Sequence, residues 1–589
     1  MAYNNHKACV GHPLRTVVRY LAPYWKECLL GAALSTIFVL VGLITPYVIK
    51  AVVSGFQTGS VTAPLLVKSF LILVSIAAVT GVARFWERTL LINASRKCEF
   101  DLRNDYFRHV QNLSRDFFHR TQTGDLMARA TNDLNYVRMF IGPGIMGTID
   151  MIRIPLTLAV MAHFSGHLTL LAVLPLPLVS LIMYSFIMYM HRQSEKVQRQ
   201  YGVVNSRVQE NLAGARVVQA YGIADREIQA FQKESDFYFA HNMKLAYVMT
   251  LLWPAIGLII GLIILMIMWR GGAMVIDGSL SIDLFMGFIV TAMLLVWPLV
   301  ELGWILSLYQ RGVAGMNRIN EIFAETPTIQ DTEHVRQNFV VAAGAIRFEK
   351  VSFCYAGQDV LHAVDFAISP GQTVAIVGPT GSGKSTIVSL LTREYDPTHG
   401  RVMIDGVDLR DIPLATLRSA IGYVPQDPFL FSDSILNNIT LGCPEASQEE
   451  VDYACHVAQF TETVAELPDG YETLLGERGI NLSGGQKQRL TIARAVICNP
   501  KILILDDALS SVDTHTEEQI LKQLKTVMAQ RTSIIISHRI SAIREADMIL
   551  VLNEGRVAEQ GTHETLLRLN GLYASLYERQ LLEEELEGA

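Results

Sequence analysis

The stretch Ala375–Thr386 reads AIVGPTGSGKST. An apolar strand runs into Gly378, a glycine-rich loop follows, and Lys384 and Ser385 open a helix, so the spacing fits G-x-x-x-x-G-K-[ST] at every position. Gly378, Gly381 and Gly383 allow the backbone to curl until consecutive N–H groups face inward, and the helix start adds partial positive charge. Gly378, Pro379, Thr380, Gly381, Ser382 and Gly383, closed by Lys384, Ser385 and Thr386, therefore form a candidate cradle for phosphate groups. Lys384 would reach the outer phosphates, and the Ser385 hydroxyl is placed to hold Mg²⁺ beside them. The plain alternative is a ligand-free glycine turn; strand, complete motif and helix in that order argue against it.

Working outward, 589 residues are enough for several domains, and an apolar fraction of 50% with positive mean hydropathy is too high for an all-soluble enzyme. Part of the chain belongs in lipid. The net charge of −7 gives no electrostatic reason to expect a nucleic-acid partner. The seven cysteines, Cys9, Cys28, Cys98, Cys354, Cys443, Cys455 and Cys498, show no paired spacing, so free thiols are expected. Cys9 and His12 are too few ligands for a metal site. The long polar lead before the first apolar run, without a small-residue cleavage signal, reads as preceding an uncleaved anchor.

Residues 13–26, PLRTVVRYLAPYWK, put Leu14, Val17, Val18 and Leu21 on one face and Arg15 and Arg19 on the other, which suits a helix at the membrane surface. Six apolar stretches follow: Cys28–Ile49, Leu65–Val82, Gly144–Phe164, Leu168–Met190, Val248–Trp269 and Leu284–Ile305, each near the roughly 20 residues that span hydrocarbon. Lys and Arg crowd residues 84–138 and 191–247, whereas 50–64 carries only Lys50, 165–167 neither, and 270–283 only Arg270. The long connections and both termini are therefore expected in the cytosol of a multi-pass protein of a bacterial-type inner or plasma membrane. These connections also read as helix, so the spans extend into the cytosol. Asp150 and Arg153, three apart on the third span, suit a mutual ion pair. Glu301, with no obvious local partner, is the better candidate for lining a cavity. Pro46, Pro155, Pro175, Pro177, Pro254 and Pro298 would bend these helices.

RGVAGMNRINEIF leads into the polar TPTIQDTEHVRQ, taken as linker. From Ala345 short strands alternate with helices: IRFEKVSFCY, RVMIDGVDL with a DG turn, KILILDD, TSIIIS, and MILVLNEGRV with an NEG turn. The expected architecture is an all-α six-helix transmembrane domain over residues 1–325, a linker over 326–344 and an α/β phosphate-loop nucleotide-binding domain over 345–589. The acidic tail ERQLLEEELEGA reads as a solvated helix end. In KILILDD a buried strand delivers carboxylates where an open α/β sheet binds ligands, with Asp506 placed to meet Mg²⁺ and Asp507 next to an attacking water. Two aspartates after a strand could equally cap the next helix.

NLSGGQKQR at 481–489 decides the family: LSGGQ before the acidic strand resembles the signature of the ABC transporter superfamily. The remaining elements stand in that family's order, and the resemblance covers the whole chain. It implies Tyr355 stacking on adenine, Gln426 in YVPQDPFLF as the Q-loop residue that meets the metal, GERG at 476–479 as the exporter X-loop, SSVD at 510–513 ending in Asp513 as the D-loop, and His538 as the switch histidine. Six helices before one such domain resemble an exporter half-transporter, a class that includes multidrug and lipid exporters. GDLMARATND at 124–133 and NLAGARVVQAYGIADRE at 211–227 resemble its two intracellular loops, whose turns should be the coupling helices. The resemblance implies ATP and Mg²⁺, with ATP held between two subunits: the phosphate loop of one faces Ser483 and Gly485 of the other.

One departure matters. The family usually has Glu directly after the magnesium aspartate, whereas this chain has Asp507, whose carboxylate is withdrawn by one methylene; misplacement by about 1 Å can cost roughly a hundredfold in rate. The chain is in this respect similar to the subunit of heterodimeric exporters that keeps an impaired site and lends an intact signature to its partner. A homodimer using Asp507 as base is the rival, and a nucleotide-gated channel or regulatory subunit is a rival of another class. The expected cargo is an amphipathic or hydrophobic solute moved out of the cytosol or inner leaflet.

Overall fold

The protein is described from a computed structural model covering residues 12–355 and 357–587, which leaves Cys9 outside the described residues. The other six cysteines are free thiols. The chain divides into two compact units, Met1–Gln111 with Thr123–Glu325, and Asn112–Gln122 with Thr326–Ala589.

The first unit is helical. Five helices are long and apolar enough to cross a membrane among the described residues: Pro13–Gln57, Ala63–Gln111, Thr123–Phe164, Ala224–Ile276 and Ile282–Ala324. The expected fourth span falls on Gly166–Val173 and Leu176–Ala213, where the side chains of 176–184 and 187 are outside the description. Most connections predicted as helix are continuous with the spans. Proline acts unevenly on these rods. The chain breaks at Leu43 and Ile44 ahead of Pro46, at Met151 and Ile152 ahead of Pro155, and between Val173 and Leu176 at Pro175, while Pro254 and Pro298 stay inside unbroken helices. A core of Met161, Phe164, Leu168, Ile267, Phe285 and Phe288 ties the third span to the last two.

Two expectations for this unit are corrected. Asp150 does not pair with Arg153, because the helix breaks between them; its carboxylate is 2.8 Å from the Arg84 guanidinium and accepts a 2.9 Å bond from the Ser35 hydroxyl. Arg84 also holds the fully buried Glu87 at 2.8 Å. Glu301 does have a local partner, the Trp297 indole, which donates to it at 2.9 Å. The N-terminal stretch is a helix, Pro13–Leu21, that buries Pro13, Thr16 and Val17 and leaves Val18 exposed; Thr16 donates to Asn320 and Tyr20 to Asp105.

The second unit is α/β. β1 (Ile346–Tyr355), β2 (Gln358–Ile368), β4 (His399–Ile404) and β5 (Val407–Asp408) form an antiparallel sheet ordered β2-β1-β4-β5. The main sheet runs β10-β9-β3-β8-β7-β6, from β3 (Thr373–Val377), β6 (Ile421–Val424), β7 (Ile502–Asp506), β8 (Thr532–Ile536), β9 (Met548–Asn553) and β10 (Arg556–Gly561). All neighbours are parallel except β9 and β10. Strands β3, β7 and β8, covered on both faces, are buried and mostly aliphatic, with Thr532 and Ser533 opening β8 and Asp506 closing β7, as suits a doubly covered parallel sheet. The two turns read from sequence close two-residue hairpins, Asp405–Gly406 (φ 49° and 78°) and Glu554–Gly555 (φ 45° and 71°), the mirror-type turns that match strand twist. The acidic tail, as far as residue 587, continues the helix Leu572–Glu587.

Candidate functional site

Register fixes the site. In the order β3-β8-β7, Ile376 aligns with Ile536 and Ile536 with Asp506. The parallel direction therefore delivers Gly378, Asp506 with Asp507, and Ser537 with His538 to one end of three adjacent strands, the carboxyl end where open α/β sheets take ligands.

The loop from Gly378 to Gly383 turns tightly enough to demand glycine at both ends. Gly378 has φ 151° and a Cβ there would sit 2.2 Å from the Leu552 carbonyl oxygen; Gly383 has φ 102° and a Cβ would meet Leu361 at 2.6 Å. The helix Lys384–Leu391 starts directly behind it. Lys384 is buried and donates to the carbonyls of Gly378 and Pro379 at 2.8 and 2.9 Å, which points its ammonium along the loop. Burial lowers its pKa, and the charges of Asp507 and Asp506 oppose that. The buried Ser382 hydroxyl has no partner among the described residues, as expected of a group facing a ligand.

Asp506 is buried at the end of β7, within hydrogen-bonding reach of the Ser385 and Tyr423 hydroxyls; burial, then the adjacent Asp507, push its pKa up to about 6. A divalent cation at this pair of oxygen donors would relieve that unfavourable charge, so the residues fit Mg²⁺ completed by phosphate and water oxygens. No group of three His, Cys, Asp or Glu side chains able to cage a metal occurs among the described residues. Asp507 follows in the left-handed conformation (φ 45°), its N–H bonded to the Ile536 carbonyl. Its carboxylate accepts the His538 backbone N–H at 3.3 Å and lies 3.6 Å from His538 Nε2.

The signature residues open a helix that packs against the segment following Asp507. Ser483 caps the helix Gly484–Ile497 in a reciprocal box with Gln486, leaving the helix start exposed. Gly485 is dictated by packing: a Cβ would lie 2.8 Å from the Ser511 carbonyl oxygen. Asp513 caps the helix Thr514–Met528 through the Thr516 N–H at 2.9 Å. Sequence reasoning missed Gln488, whose amide donates to the Ser510 hydroxyl and the Asp507 carbonyl and accepts from the Ser511 N–H. Its signal was a polar residue on the buried face of an otherwise aliphatic helix. Arg539 was missed too; it donates to the Ser510 and Val512 carbonyls and pairs with the buried Glu517.

Tyr355 ends β1 and packs edge-on against Phe353 and Tyr395, with ring centroids 4.6 and 5.2 Å away. Gln426 lies exposed two residues past β6. In the first intracellular loop the short helix is Arg115–Arg120, ahead of the quoted 124–133 stretch, and it belongs to the second unit: Arg115 pairs with Glu394 and reaches the Ser389 hydroxyl, while Ser114 accepts from the Thr328 and Ile329 N–H groups. In the second loop the turn is the exposed helix Ala215–Ala220, inside the quoted stretch.

Two family descriptions match the chain, the ABC transporter transmembrane region over residues 28–299 and the ABC transporter domain over 361–510. The multidrug resistance-like ATP-binding protein MdlA of Escherichia coli is 36% identical over 575 residues, 97% of each chain. An ATP-dependent lipid A-core flippase of Nitrosococcus oceani is 37% identical over 514 residues, covering 87% of this chain and 86% of that protein. Among solved structures, a bacterial Atm1-family ABC exporter with ATP bound superposes with a TM-score of 0.76 at 30% identity, covering 96% and 98% of the two chains. With a helical membrane region and the sheet-end cluster in one chain, the protein belongs to the ABC transporter family as a multi-pass, ATP-hydrolysing half-transporter of the exporter type.

Proposed function

We propose that this chain is one subunit of a heterodimeric exporter that moves an amphipathic or hydrophobic, drug- or lipid-like solute out of the cytosol or inner leaflet. Its second unit would lie in the cytosol with both termini. The observation that carries the heterodimer is the contrast between an intact LSGGQ, capped and packed, and Asp507, whose carboxylate is one methylene shorter than the family's usual Glu.

In this reading the loop N–H groups and Lys384 bind the phosphates, Tyr355 stacks on the adenine, and Ser385, Asp506 and Gln426 hold the cation. Mg²⁺, when bound, neutralises the phosphate charge. Ser483 and Gly485 face the nucleotide of the partner subunit, and Asp513 runs beside them. Asp507 orients water poorly across the missing methylene, so this chain's own site mainly holds ATP while the partner's site turns over. Clamping of the two ATP-binding units pulls on the intracellular loops and opens the bundle outward; hydrolysis resets it.

The homodimeric reading is favoured by one observation, the proximity of His538 Nε2 to Asp507, which gives the short carboxylate an orienting partner. ATP-dependent uptake of an amphipathic dye by inverted vesicles separates the two: the proposal expects uptake only with a second, Glu-bearing half-transporter, and uptake by this chain alone supports the homodimer.

A further inference from the structure

We propose that Arg539 is a positioning residue for ATP hydrolysis, whose guanidinium fixes the 510–513 loop and with it the Asp513 that this chain presents toward the nucleotide of the partner subunit; this rests on the reading of Asp513 above. Groups held by Arg539 flank Asp513 on both sides. Before it, the guanidinium donates to the Ser510 carbonyl at 3.2 Å and to the Val512 carbonyl at 3.3 Å. After it, the same guanidinium pairs with Glu517, a buried acid in the first turn of the helix that Asp513 caps. The Glu517 N–H in turn donates to the Asp513 carbonyl at 2.8 Å.

Neutralising Glu517 is the plainer role, and a single contact would satisfy it. The planar fork does more: spread over two carbonyls and a carboxylate, it fixes direction as well as charge, which a lysine ammonium cannot do. The loop's own backbone supplies two tight turns, from the Ser510 N–H to the Asp507 carbonyl and from the Val512 N–H to the Leu509 carbonyl. Its shape is otherwise held from outside. Gln488 of the signature helix takes the Ser510 hydroxyl and the Ser511 N–H, and Arg539 takes the carbonyls. Arg539 also directly follows His538, so the turn after β8 supplies both the imidazole that faces Asp507 and the clamp on the loop. Displacement by about 1 Å at a reacting centre can cost roughly a hundredfold in rate, so loss of the clamp belongs in turnover and not in nucleotide affinity.

The test is Arg539→Lys in the purified full-length chain, which keeps a cation beside Glu517 and removes the fork. Without nucleotide, amide hydrogen exchange of the peptide over 508–513 should speed up by about tenfold. Affinity for a fluorescent ATP analogue, set by the chain's own phosphate loop, should change by less than about twofold, while kcat of the residual hydrolysis falls by about tenfold or more at nearly constant KM. Glu517→Gln, which leaves the guanidinium an acceptor in the same place, should retain most of the turnover. Unchanged exchange, unchanged kcat, or a melting temperature lowered by more than about 10 °C in Arg539→Lys overturns the positioning role, the last because the residue is then structural. Unchanged kcat in Asp513→Ala would instead overturn the reading of the loop on which the role rests.

Discussion

The His538 imidazole and the Asp507 carboxylate face each other across 3.6 Å, and the His538 backbone N–H donates to the same carboxylate at 3.3 Å. Two adjacent parallel strands bring them together, because β7 ends at Asp506 and β8 at Ile536, whose carbonyl holds the Asp507 N–H. The two side chains should therefore act as a unit. In the residual hydrolysis by this chain alone, His538→Ala and Asp507→Asn should each lower turnover, and the double variant should fall less than about twofold below the worse single one. Multiplied losses in the double variant would show that the two act independently.

Lys384 is the buried cation of the phosphate loop. Lys384→Ala should weaken nucleotide binding to this chain by about tenfold or more, read by titration with a fluorescent ATP analogue, and should abolish transport by the complex. Unchanged transport would show that this loop is dispensable to the cycle.

Gly485→Ala places a methyl group 2.8 Å from the Ser511 carbonyl oxygen, so the signature helix and the 510–513 loop must separate. The melting temperature should fall by only a few degrees, while ATPase activity of the two-chain complex should drop by roughly a hundredfold. A large thermal loss with normal turnover in the cold would make this contact purely structural.

Arg84→Leu strands the buried Glu87 and Asp150. Removing one member of a buried ion pair costs about 3–5 kcal/mol, so the detergent-solubilised protein should unfold at clearly lower temperature or denaturant. The double variant Arg84→Leu with Glu87→Gln should recover part of that loss. No recovery would mean that packing, not charge, dominates the site.

The phosphate loop and the DG and NEG turns were legible because their chemistry is local: fixed spacing and residues that tolerate positive φ determine the backbone. The buried strands were legible from their unbroken aliphatic runs. Asp150 was misread for the opposite reason. Its partners, Arg84 and Ser35, come from two other helices, and spacing along one helix carries no information about them. Arg539 escaped because it acts on the backbone carbonyls of Ser510 and Val512, contacts that leave no pattern in the order of residues, whereas Gln488 left a trace only as a polar residue on a buried helix face. Tyr395 joins Tyr355 only through the packing of the residues after the phosphate-loop helix against β1.

The most direct test of the asymmetric account is ATPase turnover of this chain, alone and with a Glu-bearing half-transporter, for Ser483→Ala and Asp507→Asn. The account predicts weak hydrolysis by the chain alone, and in the complex a loss at least about tenfold larger for Ser483→Ala than for Asp507→Asn. Vigorous hydrolysis by this chain alone, abolished by Asp507→Asn, would contradict it and establish Asp507 as a working base.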